Sequence, residues 1–341
     1  MKVHFRLFWT VALVFLVGCN RTPERSFYYW KTTFTLSEQE RSCLRSQHIK
    51  KLYIRFFDVD WDQTNGHTIP LGRIYFRDSV PEGIAIVPTV YIVNKTFQKT
   101  PGIEIPDLSK RILSLVNGIA MTNRLFYREI QIDCDWTETT REKYFGLLTQ
   151  LKSDLKKNHK TISATIRLHQ VKYAKITGIP PVDRGMLMYY NMGKIEAGFG
   201  RNSVYNPEDA SKYIESMNGY KLPLDVALPA FSWGLHIRNN KVIELLNNMG
   251  LKDFENNDTF VPTDSVTFRV MYSLFYHGFY FKKDDVVKVE EISPALCKTA
   301  AQQISDKMAK RPAVVAIFHL DSTIISHYEK QDFDNVFNLF R

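Results

Sequence analysis

The sequence lacks the short motifs that announce the commoner chemistries. No glycine-rich phosphate loop follows a strand, no Walker loop occurs, and there is no Gly-x-Ser-x-Gly elbow. Nucleotide-binding and serine-hydrolase signatures are therefore absent. The nine histidines are scattered and the four cysteines fit no ligand spacing, so neither a metal centre nor a cofactor is expected. Lys156-Lys157 and Lys282-Lys283 are the densest basic spots, and no basic stripe interleaves with aromatics, which argues against nucleic acid. The net charge of +9 supports at most a weak attraction to anionic surfaces. No hydrophobic run reaches the roughly 20 residues needed to cross a bilayer.

What is present starts at the amino terminus. Lys2 and Arg6 form a short cationic stretch, and Leu7 to Val17 is apolar apart from Thr10. Such a run fits an export signal. Leu16-Val17-Gly18-Cys19 has the form of a lipobox, in which the cysteine thiol takes a diacylglycerol. An ordinary secretory signal with a chance cysteine is the alternative. The expectation is a signal over residues 1–18, a lipid on Cys19, and a polar tether over 19–27 containing Pro23. Asn20 replaces the aspartate that retains lipoproteins at the inner membrane, which favours the outer membrane. Cleavage removes Lys2 and Arg6, lowers the charge from +9 to +7, and leaves 323 of the 341 residues. Cys43, Cys134 and Cys297 remain; one pair could bridge, or all three could be buried thiols.

Beyond the tether, strand-like and helix-like runs alternate. Strands are expected at Lys51–Phe57, Arg73–Phe76, Ile84–Val93, Glu129–Asp135, Ile162–Leu168, Gly185–Tyr190, Leu224–Phe231 and Ala313–Phe318. Helices are expected at Leu108–Met121, Thr140–Lys157, Pro207–Met217 and Phe333–Phe340. In Thr140–Lys157, Tyr144, Leu147, Leu148, Leu151 and Leu155 share one face. Eight strand–helix units predict an α/β fold of (β/α)8 TIM-barrel type over 28–341. The stretch 235–310 breaks the alternation and reads as an α+β insertion between strands seven and eight. A hairpin of Thr267–Phe281 with Val286–Glu291 and a helix over Pro294–Lys307 are expected within it. A doubly wound open sheet is the alternative, disfavoured by the missing phosphate loop.

The sharpest chemical feature is Glu129-Ile-Gln-Ile-Asp-Cys-Asp-Trp136. Alternate residues of a strand share a face, so Gln131, Asp133 and Asp135 point one way and Ile130, Ile132 and Cys134 the other. The polar face points into the barrel, where a charge must be paired or used. Two carboxylates one pleat apart raise one pKa, as a general acid requires. The blander alternative is a pair of loop aspartates capping the next helix, though Thr137 or Thr139 could do that.

This strand resembles the Asp-x-x-Asp-x-Asp-x-Glu signature of the chitinase-like glycoside hydrolases. Gln131 and Asp133 match its two inner aspartates, and Asp135 stands at the catalytic glutamate. Met188-Tyr-Tyr-Asn191 resembles that family's sixth-strand Met-x-Tyr-Asp. Leu228-Pro-Ala-Phe-Ser-Trp-Gly234 resembles its seventh-strand Leu-Pro-x-Tyr-Gly, and Phe318-His-Leu-Asp321 its eighth-strand Trp-x-x-Asp. The matches run in order, and the family often carries an insertion after strand seven. The chain also resembles a group of bacterial lipoproteins with a Gln-x-Asp-x-Asp strand. It departs from the family in a shorter acid, two amides for aspartates, and Pro88–Asn94 where Ser-x-Gly-Gly belongs. A second register places Asp133 and Asp135 on the inner aspartates and leaves Thr137 at the acid position, a dead site.

The resemblance implies a lipid-anchored envelope protein that hydrolyses or processes a glycan. Asp135 would be the general acid, with Asp133 tuning it. Gln131, Tyr190 and Asn191 would position the sugar, and Asn191 could hydrogen-bond but carry no charge. Asp60 or Asp58 could supply a second carboxylate, and Trp61, Trp136 and Trp233 could stack on sugar faces. His169, His236, His319 and Asp321 also lie at strand ends. The alternatives are a degenerate barrel that binds a glycan without cutting it, and a structural envelope lipoprotein with no ligand.

Overall fold

The computed structural model describes residues 22–198, 200–255 and 257–341. The signal and Cys19 lie outside the described residues. Eight parallel strands form a closed ring: β1 (Glu24–Tyr29), β2 (Lys51–Asp62), β3 (Ala85–Ile92), β4 (Glu129–Asp133), β5 (Thr161–Arg167), β6 (Arg184–Met188), β7 (Leu224–Pro229) and β8 (Val314–Phe318). β1 closes the ring, since Phe27 is in register with Leu52 of β2 and Ile317 of β8. The (β/α)8 architecture is as expected.

One strand is not the one expected. Glu24 already begins β1, so residues 24–27 of the expected tether are strand. Arg73–Phe76 is not a barrel strand: Tyr75–Phe76 pairs with Thr33–Phe34 outside the ring. The first half of β1 is polar, which hid it. Its charges are neutralised across the fold, Glu24 by Lys51 at 3.0 Å and Arg25 by Asp334 at 2.6 Å. Phe27, Tyr28 and Tyr29 that follow are wholly buried.

Helices cover the ring. Arg141–Lys156 buries Tyr144, Leu147, Leu148, Leu151 and Leu155, the face expected from periodicity. Ile105–Thr122 runs beside it. Asn206 caps Pro207–Ile214 by accepting from the backbone N–H groups of Glu208 and Asp209, as the orphan donors of a first turn require.

Between β7 and Pro294 the chain builds a five-stranded antiparallel sheet. Its spatial order is Lys241–Asn247, Ser232–Arg238, Val286–Glu291, Thr267–Val270 and Phe260–Pro262. The sheet has its own core, including Leu246, Phe254, Phe260, Phe268, Phe281 and Val287. The helix Pro294–Ser305 buries Cys297, Ala300, Ala301 and Ile304 in the barrel core, so it belongs to the barrel rather than to the insertion. The hairpin strand expected over Thr267–Phe281 is broken. It stops at Val270, and Leu274–Tyr276 folds back on Phe279–Phe281. His277 and Gly278 sit at φ 49° and 86°, the backbone that a two-residue hairpin turn requires. Cys43, Cys134 and Cys297 are free thiols.

Candidate active site

In a parallel barrel the carboxyl ends of the strands gather at one end, and functional groups collect there. A cavity of about 440 Å³ opens at this end. Trp30 and Lys31 after β1, Tyr91 of β3, Asp133 of β4 and Arg167 of β5 line it. Met188, Tyr190 and Asn191 at the end of β6, Phe231, Ser232 and Trp233 after β7, Asn247 and Asn248 of the insertion, and Phe318 and His319 at β8 complete the wall.

The alternation on β4 is as expected. Gln131 and Asp133 are buried inside the ring, while Ile130, Ile132 and Cys134 pack outward. The deepest of them, Gln131, accepts from the Tyr28 hydroxyl at 2.7 Å and donates to Ser163 at 3.4 Å. It therefore ties β4 to β1 and β5 beneath the cavity and does not line it.

Asp133 sits one pleat higher. Its Oδ1 accepts from the Thr165 hydroxyl at 2.6 Å. Burial pushes its carboxyl up to about 6; Arg167 opposes that shift and Asp135 adds to it. Asp135, half-exposed at the rim, is held by Arg167 through Nε to Oδ1 at 2.5 Å and Nη2 to Oδ2 at 3.3 Å. Such a two-pronged, charge-assisted pair fixes the orientation of the carboxyl group and occupies both its oxygens. The flanking carboxylates outweigh burial and raise the Arg167 pKa, so the guanidinium stays charged. Thr137, the acid position of the second register, is exposed and bonds Thr139 and Thr140 at the start of the next helix.

The aromatic side chains form a continuous wall. Phe318 lies 5.5 Å from Trp30, 5.2 Å from Tyr190 and 5.7 Å from Phe231, between ring centroids. Phe231 meets Trp233 edge-on at 5.5 Å. The Trp233 indole donates to the buried Glu290 at 3.0 Å, which fixes the ring's orientation. The Tyr190 hydroxyl donates to Met188 Sδ at 3.2 Å. Asn191 is exposed at φ 53°, and its N–H donates to Val204 O at 2.7 Å.

Other expected residues lie elsewhere. β2 runs past the ring and pairs with His67–Leu71, so Asp60 and Trp61 are carried above the rim and do not line the cavity. Asp60 accepts from the Trp61 N–H at 2.7 Å and lies 3.9 Å from Lys95. Asp58 is paired with Arg55. Neither forms a carboxylate pair with Asp135, whose close partner is a cation. Trp136 is buried against Tyr144 and donates to Thr177 O at 2.9 Å, so it packs in the core. His236 belongs to the insertion, where it bonds Asp285 at 2.8 Å. His169 is exposed. Asp321 pairs with Lys31 at 2.9 Å and caps the short helix after β8. Burial holds the His319 imidazole down to about 4, hence neutral.

Arg167, Trp30, Lys31 and Tyr91 were not anticipated. Arg167 had a signal: alternation over Ser163, Thr165 and Arg167 puts all three on the inner face of β5. Trp30 was hidden with β1.

No protein-family model matches the chain, and no curated protein matches it in sequence. Solved structures do match. The spore cortex-lytic enzyme SleL of Bacillus cereus superposes with a TM-score of 0.54 at 12% identity, covering 94% of this chain and 75% of that one. A chitinase of Chromobacterium violaceum gives 0.54 at 11% identity, covering 92% and 98%. A GH18 chitinase of Cycas revoluta, solved in complex with (GlcNAc)4, gives 0.54 at 12% identity, covering 93% and 98%. The chain shares the (β/α)8 barrel fold of these structures. On this barrel the group facing Asp135 is Arg167.

Proposed function

We propose that this chain is a lipid-anchored envelope protein that binds a glycan in the barrel mouth without cleaving it through Asp135. The observation that carries the reading is the two-pronged Arg167–Asp135 pair beside the aromatic wall. A general acid must present an oxygen to the leaving group, and here a guanidinium is docked on both oxygens of Asp135. The wall of Trp30, Phe318, Phe231 and Trp233 offers apolar faces of the kind that sugar rings cover. The likeness to an enzyme that lyses spore cortex, and to a chitinase crystallised with (GlcNAc)4, supports a polymer containing amino sugars as the ligand class. The lipobox at Cys19 supports placement at the envelope, at the outer membrane by the residue that follows it.

A second reading is favoured by one observation. Asp133 lines the cavity and its carboxyl is pushed up to about 6, so it is the group there suited to carry a proton. If the chain hydrolyses a glycan, Asp133 is the acid and Asp135 tunes Arg167.

Titration calorimetry with chitooligosaccharides and with soluble peptidoglycan fragments separates these readings. Affinity is expected to survive Asp135→Asn and to fall about three- to tenfold in Trp30→Ala or Trp233→Ala, the scale of one aromatic contact. Affinity equal to that of the wild type in both tryptophan variants would remove the mouth as the binding site. Release of reducing ends by the wild type but not by Asp133→Asn would replace the binding reading with the hydrolytic one.

A further inference from the structure

The end of the barrel opposite the mouth carries a concentration of charge that the glycan reading does not use. The loops that lead into β2 to β8 at this end span residues 48–50, 81–84, 123–128, 157–160, 181–183, 215–223 and 306–313. They hold nine Lys or Arg and four Asp or Glu, so +5 of the chain's +9 resides there. Lys50, Arg124, Arg128, Lys221, Lys310 and Arg311 are exposed, and none is in an ion pair among the described residues. Some carboxylates at the same end are engaged, Glu24 by Lys51 at 3.0 Å, Asp183 by Lys152 at 2.8 Å and Asp225 by Arg184 at 2.6 Å, while Glu82, Glu215 and Asp306 are exposed and in no ion pair among the described residues, so the cations remain in excess.

The face is also concave and partly apolar. One hollow of about 450 Å³ is rimmed by Lys221, Lys310 and Arg311, and another of about 560 Å³ by Arg124, Phe126 and Arg128. Phe126 is 72% exposed, with the Arg128 guanidinium 5.7 Å from its ring. Free cations around an exposed aromatic suit a surface of anionic headgroups over an apolar layer.

The chain's own path selects the occupant. β1 starts at Glu24 at this same end, next to Ala313, whose carbonyl accepts from the Glu24 N–H at 2.8 Å. Four residues lie between Cys19 and Glu24, so the five chain steps would keep a lipid on Cys19 within roughly 17 Å of the face. We propose that the amino-terminal end of the barrel is a membrane-docking face for anionic lipid headgroups, holding the molecule upright on its anchor. The charge argument stands without the lipid; the upright posture rests on the Cys19 reading.

Sedimentation with vesicles tests the docking. The described fold lies within residues 22–341, so a chain beginning at Asn20 keeps it and carries no lipid. This chain is expected to sediment with phosphatidylglycerol–phosphatidylethanolamine vesicles and not with phosphatidylcholine vesicles, and to be released by salt. Arg124→Ala, Lys310→Ala and Arg311→Ala together are expected to weaken it about 100-fold, at about fivefold per cation. Lys241→Ala, Lys282→Ala and Lys283→Ala, in the insertion, are expected to leave it unchanged. Equal sedimentation with both vesicle types, equal loss in both triple variants, or sedimentation without vesicles would overturn the proposal. Labelled palmitate incorporation into the full chain, against Cys19→Ala, tests the anchor separately. Its failure leaves the vesicle result of the unlipidated chain standing.

Discussion

At the scale of single residues, the site is a charge cluster in which one arginine serves two carboxylates. Arg167 is spent on Asp135 and also lowers the Asp133 pKa against burial. The sign of the consequence follows from linkage. The folded Asp133 pKa is raised from its ordinary 3.8 to about 6, so the protonated form favours folding. That contribution is complete below about pH 4 and is lost as pH rises through 6. A shift of that size corresponds to about 2–3 kcal/mol. Asp133→Asn is therefore expected to be more stable than the wild type by about that amount near pH 7, and equal to it near pH 4. Guanidinium denaturation of both proteins across this range measures it, and a constant difference would show that Asp133 does not titrate in this way. Arg167→Ala is expected to move the Asp133 carboxyl resonance to a midpoint above 6 in an NMR titration. An unmoved midpoint would mean that the two groups do not interact.

At the scale of elements, β1 decides whether there is a barrel. It pairs with both β2 and β8, so without it the sheet has two edges and no closure. A chain beginning at Thr22 is expected to melt like the full chain, and one beginning at Trp30 not to fold cooperatively. Phe27→Ala, at a fully buried side chain packed against Phe333, is expected to cost about 3–5 kcal/mol. Calorimetric melting reads all three, and a cooperative transition in the Trp30 chain would refute the closure argument. This strand also marks where sequence reading stopped. Apolar runs such as Ala85–Ile92 are legible because both faces are buried, and the helix at Arg141–Lys156 because its stripe repeats. β1 opens Glu-Arg-Ser, and nothing local reveals that Lys51 and Asp334 will neutralise it. The same limit applies at the site. The shared face of Gln131, Asp133 and Asp135 follows from alternation within one strand. The Arg167–Asp135 pair needs two strands in register, and the departure of Asp60 and Trp61 from the mouth needs the length of β2, which local pattern does not give.

At the scale of the molecule, parallel strands give the barrel two unlike ends. The carboxyl end holds the cavity, and the insertion continues from it through Ser232. The amino end holds the start of β1 and the free cations. An eight-residue strand such as Ala85–Ile92 rises about 26 Å along its own length, or about 21 Å along the axis of a barrel whose strands tilt by about 36°, so a group at the mouth stands roughly 20 Å above the docking face. On the docking proposal, a lipid at Cys19 would point the cavity away from its own membrane, toward glycans in the space beyond. Resonance energy transfer to a headgroup acceptor in vesicles checks the posture, using lipidated protein with a donor on a cysteine introduced at either end in a Cys43→Ser background. A donor in Lys310→Cys is expected to be quenched strongly and one in Lys241→Cys weakly. Equal quenching would mean that the barrel lies on its side. The cations of the amino end would then not hold the surface, and the mouth would open along the membrane rather than away from it.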